Sequence, residues 1–257
     1  MSKNALITGA SGGLGEEFAR ILAGKGYDLW LVARSEDKLD ALGSSLQEEF
    51  KIKCTSIAVD LTSPDAIQIV KSHSPEQVDI LINNAGFANF GDFKDIELQK
   101  ELDLIQLNIT ALTALTKVFL PNMLARKSGK IMNVASTAAF FPGPLMATYY
   151  ASKAYVLSFS QALFEECKGT GVTITAVCPG PTTTGFQNRA DMGDSKLMKS
   201  GMMSAKDAAE IGVKGFLEGK AVVIIGSQNK FLCFITRFLP LSSLAGIIKN
   251  AQGRVTD

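Results

Sequence analysis

A chain of 257 residues that is 46% hydrophobic and 20% charged, with a formal net charge of +1, can bury a sizeable core and has the balance of an ordinary globular protein. The near-zero charge and the lack of a Lys/Arg cluster supply no electrostatic field for nucleic acid and argue against that partner. Cys54, Cys167, Cys178 and Cys233 have neither metal-ligand spacing nor disulfide-framework density, so core thiols in a reducing compartment and no metal site are expected.

The N-terminus, MSKNALITGA, runs directly into a strand pattern without the long apolar run of a signal peptide, and a cytoplasmic location is expected. Short apolar runs then recur along the chain: NALITG, DLWLVA, KCTSIAVD, VDILINN, KIMNVAS, VTITAVCPG and AVVIIG. They alternate with stretches of helical period at 15–25, 36–50, 98–124, 149–168 and 205–218. Near-continuous apolar strands demand burial on both faces, which a parallel sheet between helical layers provides. The expected fold class is α/β with one doubly wound parallel sheet, whose ligands bind beyond the carboxyl ends of the strands.

The first turn, TGASGGLG, places Gly9, Gly13 and Gly15 between a strand and a helix. Glycines there allow a pyrophosphate to approach backbone N–H groups at a positive helix end, although an ordinary Gly-rich turn has the same look and the spacing is not G-x-G-x-x-G. At the end of the second strand Ala33 is followed by Arg34, with no carboxylate where many NAD sites hold a ribose 2′-hydroxyl. Arg34 can pair with a 2′-phosphate through its planar fork, or cap the strand end as a surface residue. Glu36 and Asp37 suit the first turn of the next helix. Asp60, in AVDLTS, reads as a helix cap or turn former. The lone histidine, His73, lies in a polar stretch, which leaves a Ser-His hydrolase without its usual general base. Tyr149 and Lys153, four residues apart, share one helix face that Tyr150 does not. That pair is either a surface accident or an acid beside a cation.

TGASGGLG, NNAG at 83–86, NVAS ending in Ser136, YYASK at 149–153 and CPGPTTT at 178–184 occur in that order. Together they make the chain resemble a short-chain dehydrogenase/reductase of the compact single-domain kind, from Asn4 to about Gly226. The resemblance implies a Rossmann-type domain over 1–226, with 227–257 as a helical extension packed on it or on a partner. It puts the catalytic tetrad on Asn108, Ser136, Tyr149 and Lys153, with Tyr149 the usual thirteen positions after Ser136. Tyr150 and Tyr155 are left as packing or pocket residues. The cofactor implied is NADP(H), held at the turn by Gly9, Ser11, Gly13, Leu14 and Gly15. Adenine would lie beside Asp60 and Leu61, and the nicotinamide ribose near Asn84, Ala85, Gly86, Tyr149 and Lys153. The carboxamide would sit against Pro179, Gly180, Thr182 and Thr184, where Thr182 replaces a commoner apolar residue. Gly12 stands where some NADP-preferring relatives are basic, so Arg34 bears that preference nearly alone.

The chemistry suits these residue types. Hydride transfer to a carbonyl makes an alkoxide that needs a proton, and a phenol beside the Lys153 ammonium is expected to become more acidic than its usual pKa of about 10. Ser136 can donate to the carbonyl oxygen. Asn108 is by itself a polar residue on a helix; the resemblance has it ordering a water that leads to Lys153.

Two segments should shape the substrate pocket. TAAFFPGPLMAT precedes Tyr149, and the Met-rich FQNRADMGDSKLMKSGMMS bears Met192, Met198, Met202 and Met203. The second is an adaptable lid over an apolar ketone, aldehyde or 3-oxoacyl substrate, or simply packs on the fold. In the last segment Phe231, Phe234, Ile235 and Phe238 share a helical face, Pro240 breaks the helix, and Leu241, Leu244 and Ile248 begin another stripe. No acidic residue occurs over 219–256, and Lys230, Arg237, Lys249 and Arg254 punctuate the run. A pocket cap, a subunit contact and peripheral membrane contact are all open. The reading is an NADPH-dependent carbonyl reductase, reversible to alcohol oxidation, forming a homodimer or homotetramer through helices beginning near Leu98 and Tyr149. The alternatives are an epimerase or dehydratase, disfavoured by the short chain, and a non-catalytic dinucleotide sensor or scaffold on the same fold.

Overall fold

The computed structural model describes residues 3–185 and 202–252. Seven parallel strands form one sheet: β1 (Lys3–Thr8), β2 (Tyr27–Ala33), β3 (Cys54–Ala58), β4 (Ile80–Asn83), β5 (Gly129–Val134), β6 (Val172–Cys178) and β9 (Val222–Ile224). The spatial order is β3-β2-β1-β4-β5-β6-β9, so the chain runs outward from β1 in one direction and then restarts from β4 in the other. A crevice opens where the direction changes, between the carboxyl ends of β1 and β4. β7 (Thr182–Thr183) and β8 (Met203–Ser204) make a separate two-residue ladder beyond β6.

Strand alternation divides the core. Ala5, Ile7, Leu29, Leu31, Ile80 and Ile82 face α1 (Gly13–Ala23), α2 (Glu36–Phe50) and α7 (Ala205–Leu217), which contribute Phe18, Leu39, Leu46, Val213 and Phe216. Leu6, Val32, Leu81 and Ile131 face the other way, onto Val70 of α3 (Ala66–His73) and Leu115, Phe119 and Met123 of α5 (Leu112–Ala125). On this side α6 (Ala147–Glu166) lays Val156 and Leu157 against Ala135, Ala176 and Cys178. The seven apolar runs correspond to the seven strands of the main sheet, as expected of strands buried on both faces.

The apolar stretch predicted over 98–124 is an uninterrupted helix, but not an α-helix throughout. α4 (Leu98–Ile105) passes through a π-turn, Gln106–Ala111, into α5. Among the described residues this is the one helix long and apolar enough to cross a membrane, and it buries its α5 face in the core. After β9 the chain continues into α8 (Ser227–Ile235), a 3-10 turn at Thr236–Phe238, and α9 (Leu241–Gln252).

Candidate active site

Many of the residues expected at the site come just after a strand. Gly9 follows β1, Arg34 follows β2, Asn84 follows β4, and Pro179 follows β6; Asp60 and Ser136 come two residues after β3 and β5. The parallel register therefore collects them along one edge of the sheet.

At the turn after β1, Gly9 has φ 66° and its N–H donates to the Val32 carbonyl at 2.8 Å. An added Cβ would lie 2.9 Å from both Ala85 Cα and Asn84 Nδ2, while one on Gly15 would overlap the Gly9 carbonyl oxygen. The turn can thus press against the end of β4 only without side chains there. Gly12 caps α1 without any side-chain hydrogen bond and has nothing within 4 Å of where its Cβ would stand, an opening at the helix N-terminus that fits the phosphates of a dinucleotide. Ser11 is half-buried, Leu14 leans on the core below, and the Thr184 side chain lies opposite Gly13.

Asn84 has a structural task that the sequence reading did not foresee. Its Nδ2 donates to the carbonyls of Thr8 (2.9 Å) and Gly9 (3.2 Å), stapling β4 to the glycine turn. Thr8, also unforeseen although it opens the TGASGGLG motif, accepts at Oγ1 from the N–H groups of Asn84 and Ala85, both at 3.0 Å. These contacts leave the backbone of Ala85 and Gly86 at the lip of the crevice.

Arg34 is 70% exposed and stands 3.8 Å from Asp60. A carboxylate is therefore nearer to it than the strand end alone suggested. Burial pushes the Asp60 carboxyl up, but hydrogen bonds from the Thr62 N–H and hydroxyl, together with Arg34, hold it below the usual carboxylate range. The long, exposed Arg34 pair is weak, and the guanidinium can turn onto an incoming phosphate. The Leu61 side chain is buried with Val70, Leu115 and Phe119, which leaves its backbone for an adenine.

At the other end of the crevice, α6 brings Tyr149 and Lys153 under the end of β5. The Ser136 hydroxyl is in hydrogen-bond contact with the Tyr149 hydroxyl, accepts the Ala138 N–H at 3.1 Å, and has the Pro179 carbonyl 3.4 Å away. Lys153 is buried, its Nζ donating to the Val134 carbonyl at 2.8 Å and lying 5.8 Å from the centre of the Tyr149 ring. Asn108 sits in the π-turn. Its Oδ1 accepts the Phe87 N–H (3.1 Å), and its Nδ2 donates to the Phe87 carbonyl (3.0 Å) and to Ser152 Oγ (3.1 Å). Asn108 Oδ1 and Lys153 Nζ come within 3.0 and 3.6 Å of the point where a Gly86 Cβ would stand, so these two members of the tetrad meet at Gly86. Ser152 was not expected; being adjacent to Lys153, it is legible only once Asn108 is known to face α6.

The electrostatics differ from the sequence expectation. Burial pushes the Tyr149 phenol up to about 12, opposed by the Ser136 hydrogen bond, and burial holds the Lys153 ammonium down at about 8, with the neighbouring Cys178 thiol opposing. The ammonium was expected to make the phenol more acidic, but it bonds to the Val134 carbonyl and lies over the ring, so desolvation outweighs it. Tyr149 consequently keeps its proton at neutral pH, as a donor must.

Tyr150 is a packing residue. It is buried among Phe141, Met146, Ala88 and Ala138, edge-on to Tyr149, and its ring fills the space where Gly143 lacks a side chain. Ile248 of α9 packs on this same cluster, as Tyr149 does. Tyr155 stacks on Phe159 with its hydroxyl 2.9 Å from Thr113 Oγ1. Thr182 is buried with Oγ1 donating to the Gly180 carbonyl, and Gly180 leaves no room for a Cβ beside Asn229 of α8. Met203 packs on the core cluster that includes Phe18, Val213 and Phe216; Met192 and Met198 fall outside the described residues.

A doubly wound sheet that gathers a glycine turn, a serine and a Tyr/Lys pair at its carboxyl edge defines a dinucleotide-dependent oxidoreductase architecture. The chain belongs to the short-chain dehydrogenase family, whose model matches residues 3–194. It is 37% identical over 68% of its length to a very-long-chain 3-oxoacyl-CoA reductase of Bos taurus, and spans 58% of that protein's length. Among solved structures it is similar to a short-chain dehydrogenase from Sphingobium yanoikuyae in complex with NADPH, at 32% identity and TM-score 0.84, covering 98% of this chain and 99% of that one. It is also similar to a bulky-bulky ketone specific alcohol dehydrogenase from Comamonas testosteroni, at 30% identity and TM-score 0.79, covering 98% and 96%.

Proposed function

We propose that the chain is an NADPH-dependent carbonyl reductase acting on an apolar ketone, aldehyde or 3-oxoacyl group, and able to run in reverse as an alcohol dehydrogenase. The observation that carries this reading is the contact between the Ser136 and Tyr149 hydroxyls beside Lys153, at the crevice where the nicotinamide would lie. When bound, the reduced nicotinamide supplies the hydride that goes to the carbonyl carbon. Ser136 donates a hydrogen bond to the carbonyl oxygen, and Tyr149 gives its proton to that oxygen as the alcohol forms. Lys153 places a positive charge under the ring as the phenolate develops. Arg34 favours NADPH over NADH by pairing with the 2′-phosphate. The bovine relative's name, the NADPH in the Sphingobium structure and the ketone specificity in the Comamonas description support an apolar carbonyl and this cofactor.

A homo-oligomer belongs to the same proposal. Leu98, Leu102 and Ile105 form an exposed apolar stripe on α4, which packs beside α6. Such a stripe suits a contact with a second copy.

The test is loss of NADPH absorbance against a panel of apolar ketones, aldehydes and 3-oxoacyl thioesters. Turnover that Tyr149→Phe abolishes is expected. Cofactor binding with no turnover on a broad panel would replace the reductase by a dinucleotide sensor.

A further inference from the structure

We propose that the C-terminal segment is an interfacial anchor that seats the protein on anionic lipid bilayers. Phe231, Phe234 and Phe238 recur along one side of α8 and the turn after it, and are 65%, 56% and 73% exposed. Phe234 and Phe238 stand edge to face, 5.3 Å between ring centres, and Leu232, Leu239 and Ile247 extend the exposed apolar surface. Soluble chains rarely present so many large apolar side chains on one short stretch.

The opposite side of the same segment is held down. Cys233 and Leu244 are buried, Asn229 abuts Gly180, and Ile248 packs on the cluster beside Tyr149. The aromatic face is thus presented by elements fixed to the rim of the catalytic pocket.

Charge selects the partner. The stretch 219–256 contains no Asp or Glu, while Lys230, Arg237, Lys249 and Arg254 lie within it, and Lys230 and Lys249 are exposed. Two copies joined through this face would bring like charges together. An anionic headgroup layer pairs with the cations, and its acyl boundary accepts the phenyl rings. The anchoring stands without the reductase reading. If both hold, an apolar carbonyl substrate reaches Tyr149 from the bilayer side.

The test is flotation of the full chain with vesicles of phosphatidylcholine alone and of equal parts phosphatidylcholine and phosphatidylglycerol. The protein should float with the anionic vesicles. The triple substitution Phe231→Ser/Phe234→Ser/Phe238→Ser should reduce the bound fraction roughly tenfold or more without lowering the thermal midpoint. Lys230→Glu/Lys249→Glu, which keeps the aromatics and serves if the triple variant misfolds, should weaken binding to anionic vesicles and flatten its salt dependence. A wild-type chain left in the soluble fraction at low salt overturns the proposal. So does either variant floating like wild type. Oligomers that the serine variant dissolves, with no flotation, would assign the face to a second copy.

Discussion

At the residue scale the two titrating groups of the site are displaced in opposite directions by one cause. A buried phenol at about 12 and a buried ammonium at about 8 both resist the charged form. Tyr149→Phe keeps the packing and removes the proton, so turnover should fall by roughly 100- to 10,000-fold in steady-state assays with little change in the unfolding midpoint. Lys153 has a measurable cost. Its folded value lies below the usual 10.5, so the penalty of the buried charge is full below pH 8, shrinks as pH rises from 8 to 10.5, and is gone above that. Lys153→Met should therefore be inactive yet more stable than wild type at pH 7, by about 1–3 kcal/mol in denaturant titrations after allowing for the lost Val134 hydrogen bond. That advantage should close as the pH passes from 8 to 10.5; a variant less stable at pH 7 would refute the burial argument. On the cofactor side, Arg34→Ala should lower the preference for NADPH over NADH by roughly 10- to 100-fold in kcat/KM, the worth of a charge-assisted hydrogen bond. An unchanged ratio would move the phosphate site away from Arg34.

At the element scale the decisive feature is the π-turn between α4 and α5. It sets Asn108 inward, where its amide satisfies both the N–H and the carbonyl of Phe87 and reaches Ser152 on α6. π-turns inside α-helices often mark functional positions, and this one aims a side chain at Gly86 and Lys153. Asn108→Ala would strand two backbone groups beside Lys153, so we expect about 2–4 kcal/mol of destabilisation by chemical denaturation and a loss of activity larger than Asn108→Asp causes. Periodicity located the helix over 98–124 but not its π-turn, because one inserted residue leaves the apolar stripe nearly intact on either side. The eight-residue α3 also escaped the pattern; it buries only Ala66 and Val70, too short a stripe to stand out.

At the scale of the whole molecule, exposed large apolar side chains cluster along α4 and the C-terminal segment among the described residues, with Phe93, Tyr155 and Ile211 standing apart from them. If the first is a subunit contact, Leu98→Glu/Leu102→Glu should shift the solution mass measured by light scattering to that of a monomer, because burying two carboxylates in an apolar interface is prohibitive. A monomeric wild type would remove the contact altogether. The tail is tied to two parts of the sheet's carboxyl edge: Asn229 of α8 lies against Gly180, and Ile248 of α9 packs on the cluster around Tyr150.

Local sequence was sufficient for the strands, the strand-turn-helix at the glycines and Arg34 at the end of β2, which follow from short-range periodicity and from position just after a strand. The choice of Tyr149 over Tyr150 and the grouping of Asp60, Ser136 and Pro179 rested on the ordered motifs of the family resemblance, and the parallel sheet converts those positions into proximity. Tertiary structure alone decided which atoms touch: Asn84 spent on Thr8 and Gly9, Leu61 turned into the core, Lys153 bonded to Val134, and Ile248 of the tail packed on the cluster around Tyr150. Those contacts join residues far apart in the chain, and the desolvation that moves the two pKa values exists only when distant elements close over the same side chains.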